Sequence, residues 1–200
     1  MPVKKYIAKK SYGLSYEAIV IGVSAGGFDA LGELLPCLPE KFDLPILIVQ
    51  HMVPEADDFF PRYLDQKCRV TVKQADEKER ILQGIVYLAP PDHHLMVAHD
   101  RTLSLSVEEP VNFARPSIDV LFETAAAVYG SHLVGVILTG ASADGSRGLK
   151  AIKDAGGLTI VQDPRTAEAD IMPKSAIRAV EVDAILPLKA IGKMLSRLNN

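Results

Sequence analysis

The stretch Ala18-Ile19-Val20-Ile21-Gly22-Val23-Ser24-Ala25-Gly26-Gly27 decides how this chain folds. Residues 18–23 form a continuous apolar, β-branched run, as a strand buried on both faces does. Phe28, Leu31, Leu34 and Leu35 then recur at helical spacing. Between strand and helix lies a turn of small residues that carries one serine. That order lifts a hydroxyl out of a sheet and points it at a ligand. The spacing Gly22-x-Ser24-x-Gly26 matches a nucleophile elbow, whose small neighbours let the backbone turn sharply. It matches a phosphate-cradling turn less well, because Ser24 breaks Gly-x-Gly-x-x-Gly and no Lys-Ser/Thr follows.

Strand-like runs continue at 46–50, 70–74, 85–89, 95–98, 102–107, 133–138, 158–162 and 183–187. Helical patterns alternate with several of them. Ser117 is placed to cap a helix with Ile118, Leu121, Phe122 and Ala125 on one face. A helix over 146–155 turns Leu149 and Ile152 inward and stops at Gly156-Gly157. A last helix over 188–198 puts Ile191, Met194, Leu195 and Leu198 on one stripe. This alternation predicts an α/β fold, a doubly wound and mainly parallel sheet with helices on both faces. The two runs at 95–98 and 102–107 predict an antiparallel hairpin at one edge.

The 200 residues suffice for one domain with a sizeable core. The composition, 48% hydrophobic with 6% aromatic and no Trp, suits aliphatic parallel strands. A net charge of -3 points away from nucleic acid and anionic membranes as bulk partners. Cys37 and Cys68 make no disulfide framework, as in a reduced cytoplasmic protein. No apolar run is long enough to span a bilayer. Residues 1–16 read as a basic N-terminal arm and 17–200 as the catalytic domain.

Ligands of open α/β sheets bind at the carboxyl ends of the strands. Ser24, the pair Gln50-His51, and the loop from Thr139 to Gly145 with Asp144 all lie there. A nucleophile, a general base and an orienting carboxylate therefore share one rim. Serine attacks only when a base takes its proton, and imidazole, with an unperturbed pKa of about 6.5, suits that task. Taken singly, each residue has a plainer role. Ser24 reads equally as a turn residue, His51 as a histidine satisfied at a strand end, and Asp144 as the N-cap of the helix at 146–155. His93, His94 and His99 lack the Cys or carboxylate spacing of a metal site and read as structural or solvated. Met52 reads as packing. The order Ser, His, Asp differs from the Ser, Asp/Glu, His order of α/β-hydrolases.

Seven segments carry a resemblance when taken together. They are Ile21-Gly22-Val23-Ser24-Ala25-Gly26-Gly27, Gln50-His51-Met52, residues 87–95, Arg115-Pro116-Ser117-Ile118-Asp119-Val120-Leu121-Phe122, residues 135–140, Asp144-Gly145 and residues 155–163. In this order the chain resembles the catalytic domain of the CheB-type chemotaxis protein-glutamate methylesterases, from about Glu17 to about Leu198. The resemblance implies a cytoplasmic serine esterase that hydrolyses glutamate methyl esters on chemoreceptor helices and also deamidates glutamines. Ser24, His51 and Asp144 stand where the family has its nucleophile, histidine and aspartate. The N–H groups of Ala141 and Ala25 are the oxyanion candidates. Arg115, before Pro116 and a helix start, reads as a residue that caps a loop or as a contact for an acidic substrate backbone. Neither a metal nor an organic cofactor is implied. A separate regulatory protein or methyltransferase is a further implied partner.

The chain departs from the family pattern at three places. Ala141-Ser142 replaces a Met-Gly, which bears on the turn of the aspartate loop. Ala25 replaces a threonine beside the nucleophile. The receiver domain that usually precedes the catalytic domain has no counterpart in the short stretch before the first strand, so gating within the chain is not expected. These departures leave a rival reading, a non-catalytic module that keeps the fold and binds a receptor or partner.

Overall fold

The structure, a computed structural model, describes residues 15–198. The expected arm therefore lies outside the described residues, apart from Ser15 and Tyr16. In chain order the elements are β1 (Ala18–Val23), α1 (Gly27–Leu34), β2 (Ile46–Gln50), α2 (Phe59–Lys67), β3 (Thr71–Gln74), β4 (Ile85–Leu88), β5 (His94–Val97) and β6 (Leu103–Ser106). They continue with α3 (Ile118–Tyr129), β7 (Leu133–Ile137), α4 (Ser146–Asp154), β8 (Leu158–Gln162), α5 (Ile171–Ala179), β9 (Ala184–Leu186) and α6 (Leu188–Leu195).

Seven strands form one sheet in the order β3-β4-β2-β1-β7-β8-β9, and every pairing in it is parallel. All six residues of β1 are buried because helices cover both faces. Ile19, Ile21 and Val23 enter one core with Leu31 and Leu34 of α1, Phe60 and Leu64 of α2, and Ile191 and Leu195 of α6. Ala18 and Val20 enter the other with Leu121 and Phe122 of α3, Leu149 and Ile152 of α4, and Met172 and Ala176 of α5. The period of two along an all-apolar strand thus feeds two separate cores. Each buried Leu or Ile in them contributes about 1.5–3 kcal/mol of transfer free energy.

The expected doubly wound sheet is present. The hairpin also forms, with His94 opposite Ser106 and Val97 opposite Leu103. It makes its own two-stranded sheet instead of extending the edge of the large one. An isolated bridge between Arg80 and Thr102 ties it to the segment before β4. Leu95, Val97 and Leu103 are buried against the α3 core, which holds the hairpin out of the sheet plane. His94 is structural: Nδ1 accepts the Ser117 N–H at 3.1 Å, and Nε2 lies 3.2 Å from the Glu109 carbonyl.

Helices α2 and α5 have no counterpart among the predicted elements. Each carries a proline at its third residue, Pro61 and Pro173. In a first turn proline gives up an N–H that has no helical partner, so it begins a helix where it reads as a breaker. Among the described residues no helix is long and apolar enough to cross a membrane.

The chain leaves β1 toward β2 on one side, while β7 lies on the other. That makes the carboxyl ends of β1, β2 and β7 the switch point where such sheets open a crevice.

Candidate active site

Ser24 follows β1 and His51 follows β2. Val23 pairs with Gln50, so the two residues leave neighbouring strands at one level, about one strand spacing of 4.8 Å apart. The His51 N–H donates to the Val23 carbonyl at 3.1 Å, which carries the pairing to the site itself.

The turn at Ser24 is closed locally. The Gly27 N–H donates to the Ser24 carbonyl at 2.8 Å, and Gly26 sits in the left-handed region with φ 76° at the start of α1. Gln50 reinforces this turn. Its Nε2 donates to the carbonyls of Ser24, at 3.0 Å, and His51, at 2.9 Å. One buried amide thus joins the backbone of the serine to that of the histidine. Gln50 packs so closely on Gly27 that a Cβ there would lie 1.8 Å from Oε1. Gly27→Ala is therefore expected to displace Gln50 and the turn together. Misplacement by about 1 Å at a reacting centre costs on the order of a hundredfold in rate. A kcat within about threefold of wild type, measured on any ester the protein turns over, would contradict this account of the turn.

Asp144 meets His51 across the site, with Nε2 to Oδ2 at 2.8 Å. The carboxylate is 1% exposed and accepts from four further donors. Oδ1 takes Asn112 Nδ2 at 2.9 Å, Ser117 Oγ at 2.9 Å and the Asp119 N–H at 3.2 Å, while Oδ2 also takes the Ile118 N–H at 2.6 Å. Asp144 therefore caps α3, which approaches from elsewhere in the chain. Its sequence position suits the N-cap of α4, but Gly145 occupies that place with φ 90°. Ser117 is the N-cap of α3 by position, yet its hydroxyl serves Asp144 instead of its own helix.

Burial alone would raise the Asp144 pKa. Hydrogen bonds from His51, Asn112 and the Ile118 N–H outweigh it and hold the carboxyl below its ordinary value. An ionised Asp144 only accepts, so His51 carries its proton on Nε2 and presents Nδ1 as the basic nitrogen. Nearby Asp119 behaves oppositely: burial, with the Asp144 charge adding to it, pushes its pKa up.

The loop after β7 forms the third wall. The Ser24 N–H donates to the Thr139 carbonyl at 3.0 Å. Thr139 Oγ1 donates to the Ala25 carbonyl at 2.8 Å and accepts the Ala169 N–H at 2.9 Å. Gly140 touches the serine directly, since a Cβ there would lie 2.9 Å from Ser24 Cβ and 2.0 Å from Met172 Sδ. The next residue, Ala141, is exposed beside it, as is Ala25. Among the described residues neither the Ala25 nor the Ala141 N–H donates to a protein acceptor. Ser142, where the family has glycine, has no positive φ, and its Oγ accepts the Asp144 N–H at 3.3 Å. The aspartate loop therefore keeps its turn without a glycine there.

Arg115 lines the mouth of the site together with His51. Nε and Nη2 donate to Asp92 Oδ1 at 2.9 and 2.7 Å, and Nη1 donates to the carbonyls of Val107 and Glu108 at 2.6 and 3.0 Å. These bonds tie the loop before α3 to the segment before β5. Asn112 and Ser117 carry no sequence signal of a place in the site, and Gln50 is marked there only as the neighbour of His51. Gln50 stood beside His51 at the strand end, but a side chain that bonds two backbone carbonyls leaves no spacing signal.

Residues 19–195 match the family model described as CheB methylesterase. A relative from Leptospira interrogans serogroup Icterohaemorrhagiae serovar copenhageni is 54% identical over 186 residues, which are 93% of this chain and 96% of the relative. Its name, in provisional form, is protein-glutamate methylesterase/protein-glutamine glutaminase. A Bordetella pertussis protein of that name is 40% identical over 198 residues, 96% of this chain but 56% of its own length. The chain thus spans nearly all of one relative and about half of the other. The crystal structure of the Thermotoga maritima CheB methylesterase catalytic domain matches with a TM-score of 0.87 and 37% identity, over 92% of this chain and 99% of that one. With its sheet order, its serine turn and its histidine held by a buried aspartate, the chain belongs to the CheB methylesterase family.

Proposed function

We propose that this protein is a serine hydrolase that removes methyl esters from glutamate side chains of chemoreceptor-type helical proteins and deamidates glutamine at the same centre. The observation that carries the reading is the 2.8 Å bond between His51 Nε2 and the buried Asp144, one strand away from the partly exposed turn of Ser24. Ser24 Oγ attacks the ester carbonyl and gives its proton to His51 Nδ1. The oxyanion that develops meets the N–H groups of Ala25 and Ala141. His51 returns the proton to the departing methoxide, which leaves as methanol. Water, deprotonated by His51, then hydrolyses the acyl-enzyme and restores Ser24 and the free carboxylate. With glutamine the leaving group is ammonia.

The Ser24 hydroxyl makes no hydrogen bond among the described residues. Its bond to Nδ1 forms as the substrate seats, as catalytic hydrogen bonds often do. Arg115 and Asp92 serve this reading as a paired wall of the cleft. The ester must be written by a methyltransferase that acts on the same helices. On this reading the enzyme works in the cytoplasm, where such helices lie.

The direct test is methanol release from a methylated receptor-type helical protein, together with labelling of Ser24 by a fluorophosphonate. No labelling and no methanol, with the helical protein still bound, would favour the binding module.

A further inference from the structure

The segment between β6 and α3 holds a two-residue turn that the mechanism above uses only in part. Val111 and Ala114 exchange both backbone hydrogen bonds, at 3.1 and 3.0 Å, around Asn112 and Phe113. Both central residues have positive φ, 54° and 62°. That is the pattern of a type I′ turn, in which asparagine is at home and phenylalanine is not. Asn112 pins the turn from within. Its Nδ2 donates to Asp144 at 2.9 Å and to Asp119 at 2.8 Å, and both carboxylates are buried.

Phe113 projects the other way and is fully exposed, at 105% of its reference area. It stands on the rim of a cleft of about 280 Å³ whose walls include His51, Met52, Pro54, Pro110 and Pro116. An aromatic ring is thus held in water, in a backbone region that disfavours it, on a turn anchored to the carboxylate that orients the base. A flexible or incidental ring would need none of that anchoring. Strain that the surroundings hold in place points to a binding role. Met52 also lines a second hollow, of about 210 Å³, with Phe28, Phe59 and Phe60. Apolar side chains therefore line two hollows that share Met52, the residue after His51. A helix laid across Met52, with its esterified glutamate turned down to Ser24, would set its apolar neighbours against both.

We propose that Phe113 is a specificity-determining residue for the protein substrate, packing on apolar side chains of the helix that carries the modified glutamate. This rests on the function proposed above. The occupant is the substrate helix because Phe113 and His51 wall one cleft, so whatever packs on the ring also lies over the base. A ring of this size buries enough surface on contact to change selectivity by about tenfold.

The test compares kcat/KM on a methylated receptor-type helical protein with kcat/KM on p-nitrophenyl acetate. Phe113→Gly removes the ring and suits the positive φ, so its melting temperature is expected to be equal to or above that of wild type. The protein-to-small-ester ratio is expected to fall about tenfold in Phe113→Gly and to be kept by Phe113→Tyr. An unchanged ratio in Phe113→Gly would overturn the proposal, as would equal losses on both substrates. A change in the oligomeric state of the free protein, with the ratio kept, would assign the ring to contact between copies instead. Wild-type protein that cleaves the small ester through Ser24 but leaves the methylated helix untouched would sink the proposed function itself.

Discussion

Ser24→Ala is expected to abolish ester hydrolysis while leaving the fold intact. Loss of a triad nucleophile costs on the order of 10⁴- to 10⁶-fold in kcat, with the residue of catalysis coming from oxyanion donors and binding. The fold should not notice. The Ser24 contacts that shape the turn are backbone ones, to Thr139, Gly27 and Gln50, and alanine keeps all of them. The variant should therefore melt with wild type and still bind the methylated helix, yet release no methanol and take up no fluorophosphonate. A folded variant with most of its activity would remove Ser24 as the nucleophile and with it the proposed mechanism.

Asp144→Asn is expected to damage both activity and stability. The carboxylate gathers five donors on two oxygens, and in the variant one oxygen becomes an NH₂ group facing donors. Each buried donor left without an acceptor costs about 1–3 kcal/mol. Two such losses make about 2–6 kcal/mol, which for a chain of this size lowers the melting temperature by several degrees or more. The catalytic loss should be on the order of 10⁴-fold, because the imidazole loses both its tautomer and the charge that stabilises its protonated form. The pH dependence has a definite sign. The Asp144 pKa is depressed in the folded protein, so the stability it contributes is present above the ordinary value of 3.8 and is lost as the pH falls through the folded value. The gap in stability between wild type and Asp144→Asn should therefore narrow in acid. Chemical denaturation at neutral pH and near pH 3 measures it, and a gap that widens in acid would contradict the reading of Asp144 as an ionised cap.

Much of the fold was legible because parallel strands covered on both sides are apolar along their whole length. The run 18–23 and the run 46–50 match β1 and β2 to the residue, and 158–162 matches β8. The helices at Phe59 and Ile171 were not legible, because an early proline reads as a break unless the surrounding packing is known. Phe28 stood in the predicted apolar stripe of α1 but is 41% exposed, on the rim beside Met52. Helical period assigns it a face, and only the position of α2 tells whether that face is covered.

The sequence by itself determined the class of the sheet, the serine turn between β1 and α1, and the placing of His51 and Asp144 at strand ends. Those features are local, and each follows from side-chain period, glycine positions and the burial that parallel strands demand. Only the tertiary structure decided what the residues do to one another. The bond from His51 to Asp144 joins positions 93 residues apart. Asp144 caps α3 and not the helix that follows it, Gln50 couples the serine turn to the histidine, and Asn112 turns inward while Phe113 turns to solvent. Such contacts depend on the distance and direction between segments far apart along the chain, and no local pattern of residues encodes them.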